Sequence, residues 1–144
     1  MIIRKATKTD LKEIAVLMKR ELSKPPFNEK DIIKSILKSL NFYLREAYIF
    51  VILEKKEISG VVVFQIEQWW EGPVIIIQDL VIGNKFQKKG FGKSLMKFVE
   101  NYSKKEGVRR IYFETNKKSS AVKFYKKIGY KVNKGRISMS KLVK

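Results

Sequence analysis

The segment from Val74 to Ile82, Val-Ile-Ile-Ile-Gln-Asp-Leu-Val-Ile, is the most apolar run in the chain and constrains its fold more than any other feature. A nearly continuous β-branched run suits a strand covered on both faces, which calls for a sheet with helices above and below it. Gly83 and Asn84 end the run, and a basic loop with two glycines follows. Phe91, Leu95, Phe98, Val99 and Tyr102 then recur at helical spacing as far as Gly107, a suitable C-terminal stop. A buried strand, a glycine loop and an amphipathic helix therefore stand in series.

The flanking segments supply the partners. Ile2 to Ala6 is β-prone, and Thr7 and Asp10 have capping-box spacing. Leu11, Ile14, Ala15, Met18 and Leu22 then define a first helix that Pro25 and Pro26 stop. Asn28 is placed to cap a second helix with Ile32, Ile33, Ile36, Leu37 and Leu40 on its inner face. Tyr48 to Leu53 and Ser59 to Gln68 read as two strands around a charged turn, and Trp69, Trp70, Glu71, Gly72 and Pro73 make the next turn. Arg110 to Thr115 reads as a strand. Ser119 or Ser120 caps a short helix carrying Val122, Phe124, Tyr125 and Ile128, with Gly129 as its stop. Tyr130 to Leu142 is expected to close the sheet as a hairpin turning near Lys134 and Gly135. These elements predict an α/β (α+β) fold in a single domain over residues 1–144, with a mixed sheet of six to seven strands and about four helices.

Composition removes several chemistries. The chain has no cysteine, so disulfides, thiolate metal sites and acyl-cysteine intermediates are excluded, and no metal site is expected. It has no histidine either, so a base working near neutral pH has to be a carboxylate, an amine, a tyrosine or a water. Lys and Arg number 32 against 14 Asp and Glu, a formal charge of +18 that favours anionic ligands. No run of eighteen apolar residues exists, and no signal-peptide core follows Met1. A cytoplasmic protein with no membrane partner is expected.

The loop Gln87-Lys88-Lys89-Gly90-Phe91-Gly92-Lys93-Ser94 is the most informative stretch. A helix start leaves its first N–H groups unpaired, and glycines let a ligand approach them, so the geometry suits a pyrophosphate with lysines adding charge. Better-known loops fit poorly. A Walker A loop needs glycine where Gln87 stands, and the dinucleotide fingerprint needs a third glycine where Leu95 stands. Lys89 to Gly92 reproduces the start of an RNA-recognition signature, but the following residues are in helical register.

A loop of the form Gln/Arg-x-x-Gly-x-Gly/Ala between a strand and a helix resembles the acyl-CoA pyrophosphate site of the GNAT superfamily of N-acetyltransferases. The resemblance extends upstream to Asp79, Leu80, Val81 and Ile82. Downstream it takes in Ile111 to Thr115, then Ala121, Tyr125, Gly129 and Tyr130. It implies a sheet with a splayed centre and acetyl-CoA as cosubstrate, with direct transfer of the acetyl group to a primary amine of a small molecule or a peptide. By the same resemblance, Leu80, Val81 and Ile82 offer backbone groups to the pantetheine and thioester. Gln87, Lys88, Lys89, Gly90, Phe91, Gly92 and Lys93 hold the pyrophosphate. Tyr125 touches the cofactor and protonates the departing thiolate. Family members often carry an asparagine before the last helix; Lys118 holds that register here, with Asn116 nearby. Asp79 is the leading base or amine-orienting group, ahead of Glu67, Glu71 and Glu114. Trp69, Trp70 and Glu71 are expected to border the acceptor side, where aromatic rings could hold an ammonium.

Two other readings make different predictions. A basic nucleic-acid-binding module would bind RNA or DNA with steep salt dependence and ignore CoA. A non-catalytic acyl-CoA sensor would bind the cosubstrate without turnover. Either a monomer or a homodimer is compatible with the sequence.

Overall fold

The computed structural model describes residues 1–144. One sheet of five strands has the order β1-β2-β3-β4-β5: β1 Ile2–Lys5, β2 Tyr48–Glu54, β3 Glu57–Trp69, β4 Gly72–Ile82 and β5 Arg110–Tyr112. The first four pair antiparallel, and β5 joins β4 in parallel. Helices α1 Leu11–Leu22 and α2 Ile33–Glu46 pack on one face; α3 Phe91–Lys105 and α4 Ala121–Lys127 pack on the other.

Alternation along β3 builds both cores. Val61 and Val63 join the α1/α2 side, Val62 and Phe64 join the α3 side, and all four are fully buried. The strand covered on both faces along most of its length is therefore β3. β4 meets that expectation only from Val74 to Ile77, because Gln78 is exposed. The cause is topological: β5 pairs only with Val74, Ile75 and Ile76, so the rest of β4 has a strand neighbour on one side alone.

Three expectations need correction. The sheet has five strands rather than six or seven, because β5 is short and no closing hairpin forms. A turn does occur at Lys134 and Gly135, but every residue from Lys131 to Lys144 is exposed and no ladder forms. Val132, Ile137, Met139 and Leu142 find no core to enter, and Arg136 lies over the Trp69 ring at 5.6 Å from its centroid. Asn28 does not cap α2. It adopts φ 50°, a left-handed conformation that asparagine tolerates, and the helix begins only at Ile33.

The capping-box spacing at Thr7 does mark a helical start: it caps a 3-10 turn, Lys8–Asp10, that runs directly into α1 at Leu11. The Asp10 carboxylate accepts from the Thr7 N–H at 2.7 Å and from the Arg4 guanidinium at 2.8 and 3.0 Å. Arg4 holds the Asp10 carboxyl down to about 2. Asp10 therefore contributes stability above the ordinary aspartate range, and that contribution is lost as pH falls towards about 2. Asp10→Ala should lower stability by about 1–2 kcal/mol near neutral pH, as measured by urea unfolding, with the difference shrinking in acid.

Candidate active site

The pairing of β3 with β4 slips between Val63 and Phe64: Val63 lies opposite Asp79, whereas Phe64 lies opposite Ile77. Gln78 is the extra residue, a β-bulge. Its consequence is a change of face. Ile75 and Ile77 belong to the α3 core, and plain alternation would send Asp79 there too. Beyond the bulge the parity is reversed. Val81 joins the α1/α2 core, Leu80 and Ile82 pack on the α3 side, and Asp79 enters a cavity of about 240 Å³ beneath α1 and α2.

Met18, Leu22, Ile36, Leu40 and Tyr43 supply apolar walls to this cavity, and Glu29, Asp31 and Asp79 supply three carboxylates. Glu29 is tethered to the end of α1 by its N–H, which donates to the Leu22 carbonyl at 2.9 Å. The lysine that lines the cavity, Lys19, donates to the Asp31 backbone carbonyl at 2.9 Å rather than to a carboxylate. None of the chain's ion pairs involves Glu29, Asp31 or Asp79. Burial, with Glu29 as a like charge nearby, pushes the Asp79 carboxyl up to about 6. Burial and then Asp79 raise the Tyr43 phenol in turn.

The opposite side of β4 presents a different environment. From Ile77 onward its edge is unpaired by β5, and at its end the chain runs through a 3-10 turn, Asn84–Phe86, into the glycine loop. Lys88 and Gly90 take positive φ, 61° and 88°, and α3 starts at Phe91. A Cβ on Gly90 would meet nothing within 4 Å, so backbone conformation rather than crowding requires glycine there. Gly92 sits against Phe124 of α4 and Ile82 of β4, at 3.5 and 3.7 Å from where its Cβ would be. Loop, strand end and last helix thus converge. The open backbone at the α3 start, with Lys88, Lys89 and Lys93 around it, suits an anionic diphosphate. The continuation into a helix removes the strand that an RNA-recognition motif requires.

The other expected residues are distributed as follows. Gln87 is exposed, and its Nε2 donates to the Ile82 carbonyl at 2.9 Å, so that carbonyl is already engaged. Tyr125 packs against Phe113 and Phe124 with ring centroids at 4.5 and 5.2 Å, and burial pushes its phenol up to about 12. It lines a second cavity, of about 390 Å³, that opens between β5 and the unpaired tail. Asn116 caps the turn before α4, its Oδ1 accepting from the Lys118 N–H at 2.9 Å.

The turn at Trp69–Glu71 lies apart from the Asp79 cavity. It lies at the start of β4, roughly 23 Å from Asp79 along the strand at about 3.3 Å per residue. Trp70 is fully exposed, Glu71 pairs with Arg110 at 3.0 Å, and Glu67 accepts from the Trp69 indole at 3.1 Å. Glu114 accepts from the Tyr112 hydroxyl at 3.3 Å. Sequence reasoning missed Glu29, Asp31 and Tyr43. No local signal marks them, because only the packing of α1 and α2 on β4 brings them to Asp79.

The sequence model of the acetyltransferase (GNAT) family matches residues 12–130. The chain belongs to the GNAT family. A search of curated proteins finds no match. Solved GNAT-like folds superpose closely. A possible acetyltransferase from Clostridium difficile 630 aligns with TM-score 0.86 at 17% identity, covering 99% of this chain and 98% of that one. An aminoglycoside 6′-N-acetyltransferase from Acinetobacter haemolyticus aligns with TM-score 0.82 at 15% identity over 100% of both chains. A transcriptional regulator from Bacillus halodurans C-125 aligns with TM-score 0.80 at 18% identity, covering 96% and 98%. These likenesses establish the shared fold.

The raised Asp79 carboxyl makes a prediction about stability. Its folded value lies above the ordinary aspartate value, so the proton is held more tightly in the native state, and ionisation costs stability as pH rises from about 4 to about 6. Asp79→Asn should therefore be more stable than wild type by roughly 1–3 kcal/mol at about pH 7.5. Urea melts should find the gap closing as pH falls towards 4.

Proposed function

We propose that the protein is an acetyl-CoA-dependent N-acetyltransferase that acts on a primary amine by direct attack in a ternary complex, and that its acceptor is a small cationic amine. The observation that carries this reading is Asp79, which a bulge delivers into an acid-lined cavity while the glycine loop and α3 start lie beyond the end of the same strand.

The roles follow from charge and position. Leu80, Val81 and Ile82 offer the edge of β4 to the pantetheine and the thioester, apart from the Ile82 carbonyl held by Gln87. Lys88, Lys89, Gly90, Phe91, Gly92 and Lys93 take the diphosphate, and Gln87 braces them. Asn116 contributes by shaping the turn into α4.

The reacting ammonium first loses a proton to solvent; the neutral nitrogen then attacks the thioester carbonyl, the C–N bond forms, and the C–S bond breaks. Asp79 takes the proton that the nitrogen sheds as it becomes acidic during bond formation. A carboxyl near 6 is a stronger base than an ordinary aspartate yet still ionised at neutral pH. Tyr125, held protonated by burial, gives its proton to the departing sulfur and regains one from solvent.

Net charge alone would repel a cationic acceptor, since the chain carries +18. Three carboxylates outside any ion pair, around one half-open cavity, reverse the local sign. Glu29 and Asp31 suit a second ammonium on the same molecule, beside the Tyr43 ring. A cavity of about 240 Å³, open to solvent past the exposed Glu29 and Asp31, has room for the head of a compact amine.

Release of free CoA thiol should be followed with diamines, polyamines, arylalkylamines and peptides. Compact diamines should give the highest kcat/KM, and no turnover with any amine would overturn the reading. With a working amine, Tyr125→Phe should lower kcat about 100-fold or more while leaving acetyl-CoA affinity nearly intact. The wild-type rate should fall as pH drops through about 6, where Asp79 takes up its proton. Asp79→Asn should abolish that limb together with most activity.

A further inference from the structure

Glu21, near the end of α1, is a buried carboxylate with no part in the chemistry above; its side chain is 7% exposed. It is also heavily engaged. One oxygen accepts from the Asn84 N–H at 3.0 Å and from Arg20 Nε at 3.2 Å. The other accepts from Lys24 Nζ at 3.1 Å and lies 3.5 Å from Gln87 Nε2, the same nitrogen that donates to the Ile82 carbonyl. Burial alone would raise the carboxyl, but the Asn84 N–H, Lys24 and Arg20 outweigh it and hold the group ionised.

Asn84 and Gln87 are the two ends of the turn that leads from β4 to the glycine loop. Glu21 thus reaches across from the helix on the far side of the sheet and clamps both. The approach is tight throughout: a Cβ on Gly83 would lie 3.2 Å from Leu17 and 3.5 Å from Arg20. The Gly83 N–H is itself fixed to the Ser59 carbonyl at 2.8 Å. A buried charge at this spot is costly, and an apolar residue would pack α1 more cheaply.

We infer that Glu21 is a positioning residue for the diphosphate end of acetyl-CoA: it sets the Gly83–Gln87 turn, and through it the aim of the Lys88–Gly92 backbone. The inference rests on the acetyl-CoA reading above. The same helix supplies Met18, Lys19 and Leu22 to the acceptor cavity, so one rigid element spans both substrate sites.

The test exploits an opposition of signs. Removing Glu21 deletes a negative charge close to an anion site and frees Arg20 and Lys24, so electrostatics alone would tighten binding. Loss of a strut would weaken it. Calorimetric titration of acetyl-CoA into Glu21→Ala should give a dissociation constant raised about 10-fold, with kcat at saturating cosubstrate changed less than about twofold. Glu21→Gln keeps the shape and one acceptor for Asn84, so it should weaken binding by a smaller factor, about 3-fold, and it carries the test if the alanine variant fails to fold.

Asp10→Ala, at the other end of α1, separates this role from general destabilisation: it should lower stability without moving the affinity. Unchanged or tighter binding in the Glu21 variants, with wild type binding normally, overturns the inference alone. Failure of wild type to bind acetyl-CoA overturns the functional reading and takes this inference with it.

Discussion

The site depends on one extra residue in one strand. Without the bulge at Gln78, the side chains of β4 would keep their alternation and Asp79 would point into the apolar core under α3, beside Phe64, Leu95 and Met96. An ionised carboxylate there would have no partner and no water, at a cost of several kcal/mol by the usual penalty for burying charge. The bulge turns the same residue to the opposite face, where a cavity receives it. It does so between Ile77 and Asp79, just past Ile76, the last residue of β4 that pairs with β5. Chemistry and open backbone are thereby placed next to each other by a single local irregularity.

Electrostatics then divides the molecule. The chain is strongly basic, yet its scarce carboxylates are not all spent on neutralising lysines. Asp10, Glu21, Glu57 and Glu71 each sit in an ion pair that braces a helix, a turn or a strand. Glu29, Asp31 and Asp79 do not, and they share one cavity. Cationic surplus surrounds the glycine loop while an anionic pocket lies across the sheet. Under the proposed function, two substrates of opposite charge would approach β4 from its two faces.

The legibility of the sequence followed the range of the interactions involved. Local rules were enough for three helices: Thr7 and Asp10 mark the 3-10 turn that leads into α1, Gly107 and Gly129 the ends of α3 and α4, and both glycines adopt positive φ. The glycine loop was equally legible, because a strand, a breaker and an amphipathic helix announce it in order. Asn28 misled because asparagine serves both as a helix cap and as a left-handed loop residue, and only the surrounding packing decides between them. The tail misled because alternation in Ile137, Met139 and their neighbours is necessary for a strand but does not provide an edge to pair with. Glu29, Asp31 and Glu21 were invisible since their partners lie far along the chain, at Asp79, Asn84 and Gln87. The Trp69-Trp70 pair draws attention by residue type, but it lies at the opposite end of β4 from the Asp79 cavity.

The absence of histidine gives the site its character. A fold that cannot use imidazole has to make acid and base from groups whose ordinary values lie far from neutrality on either side. Here one physical cause, burial, acts on both. It lifts a carboxyl to about 6, which strengthens it as a base while leaving it ionised at neutral pH. It lifts a phenol to about 12, which keeps the proton in place until a strongly basic atom develops nearby. Desolvation moves both values in the same direction, yet it equips one group to accept and the other to donate. Asp79 lies on the α1/α2 face of the sheet, and Tyr125, on α4, lies on the opposite face. Under the proposed mechanism, proton removal by Asp79 and proton delivery by Tyr125 would then come from opposite faces of the sheet.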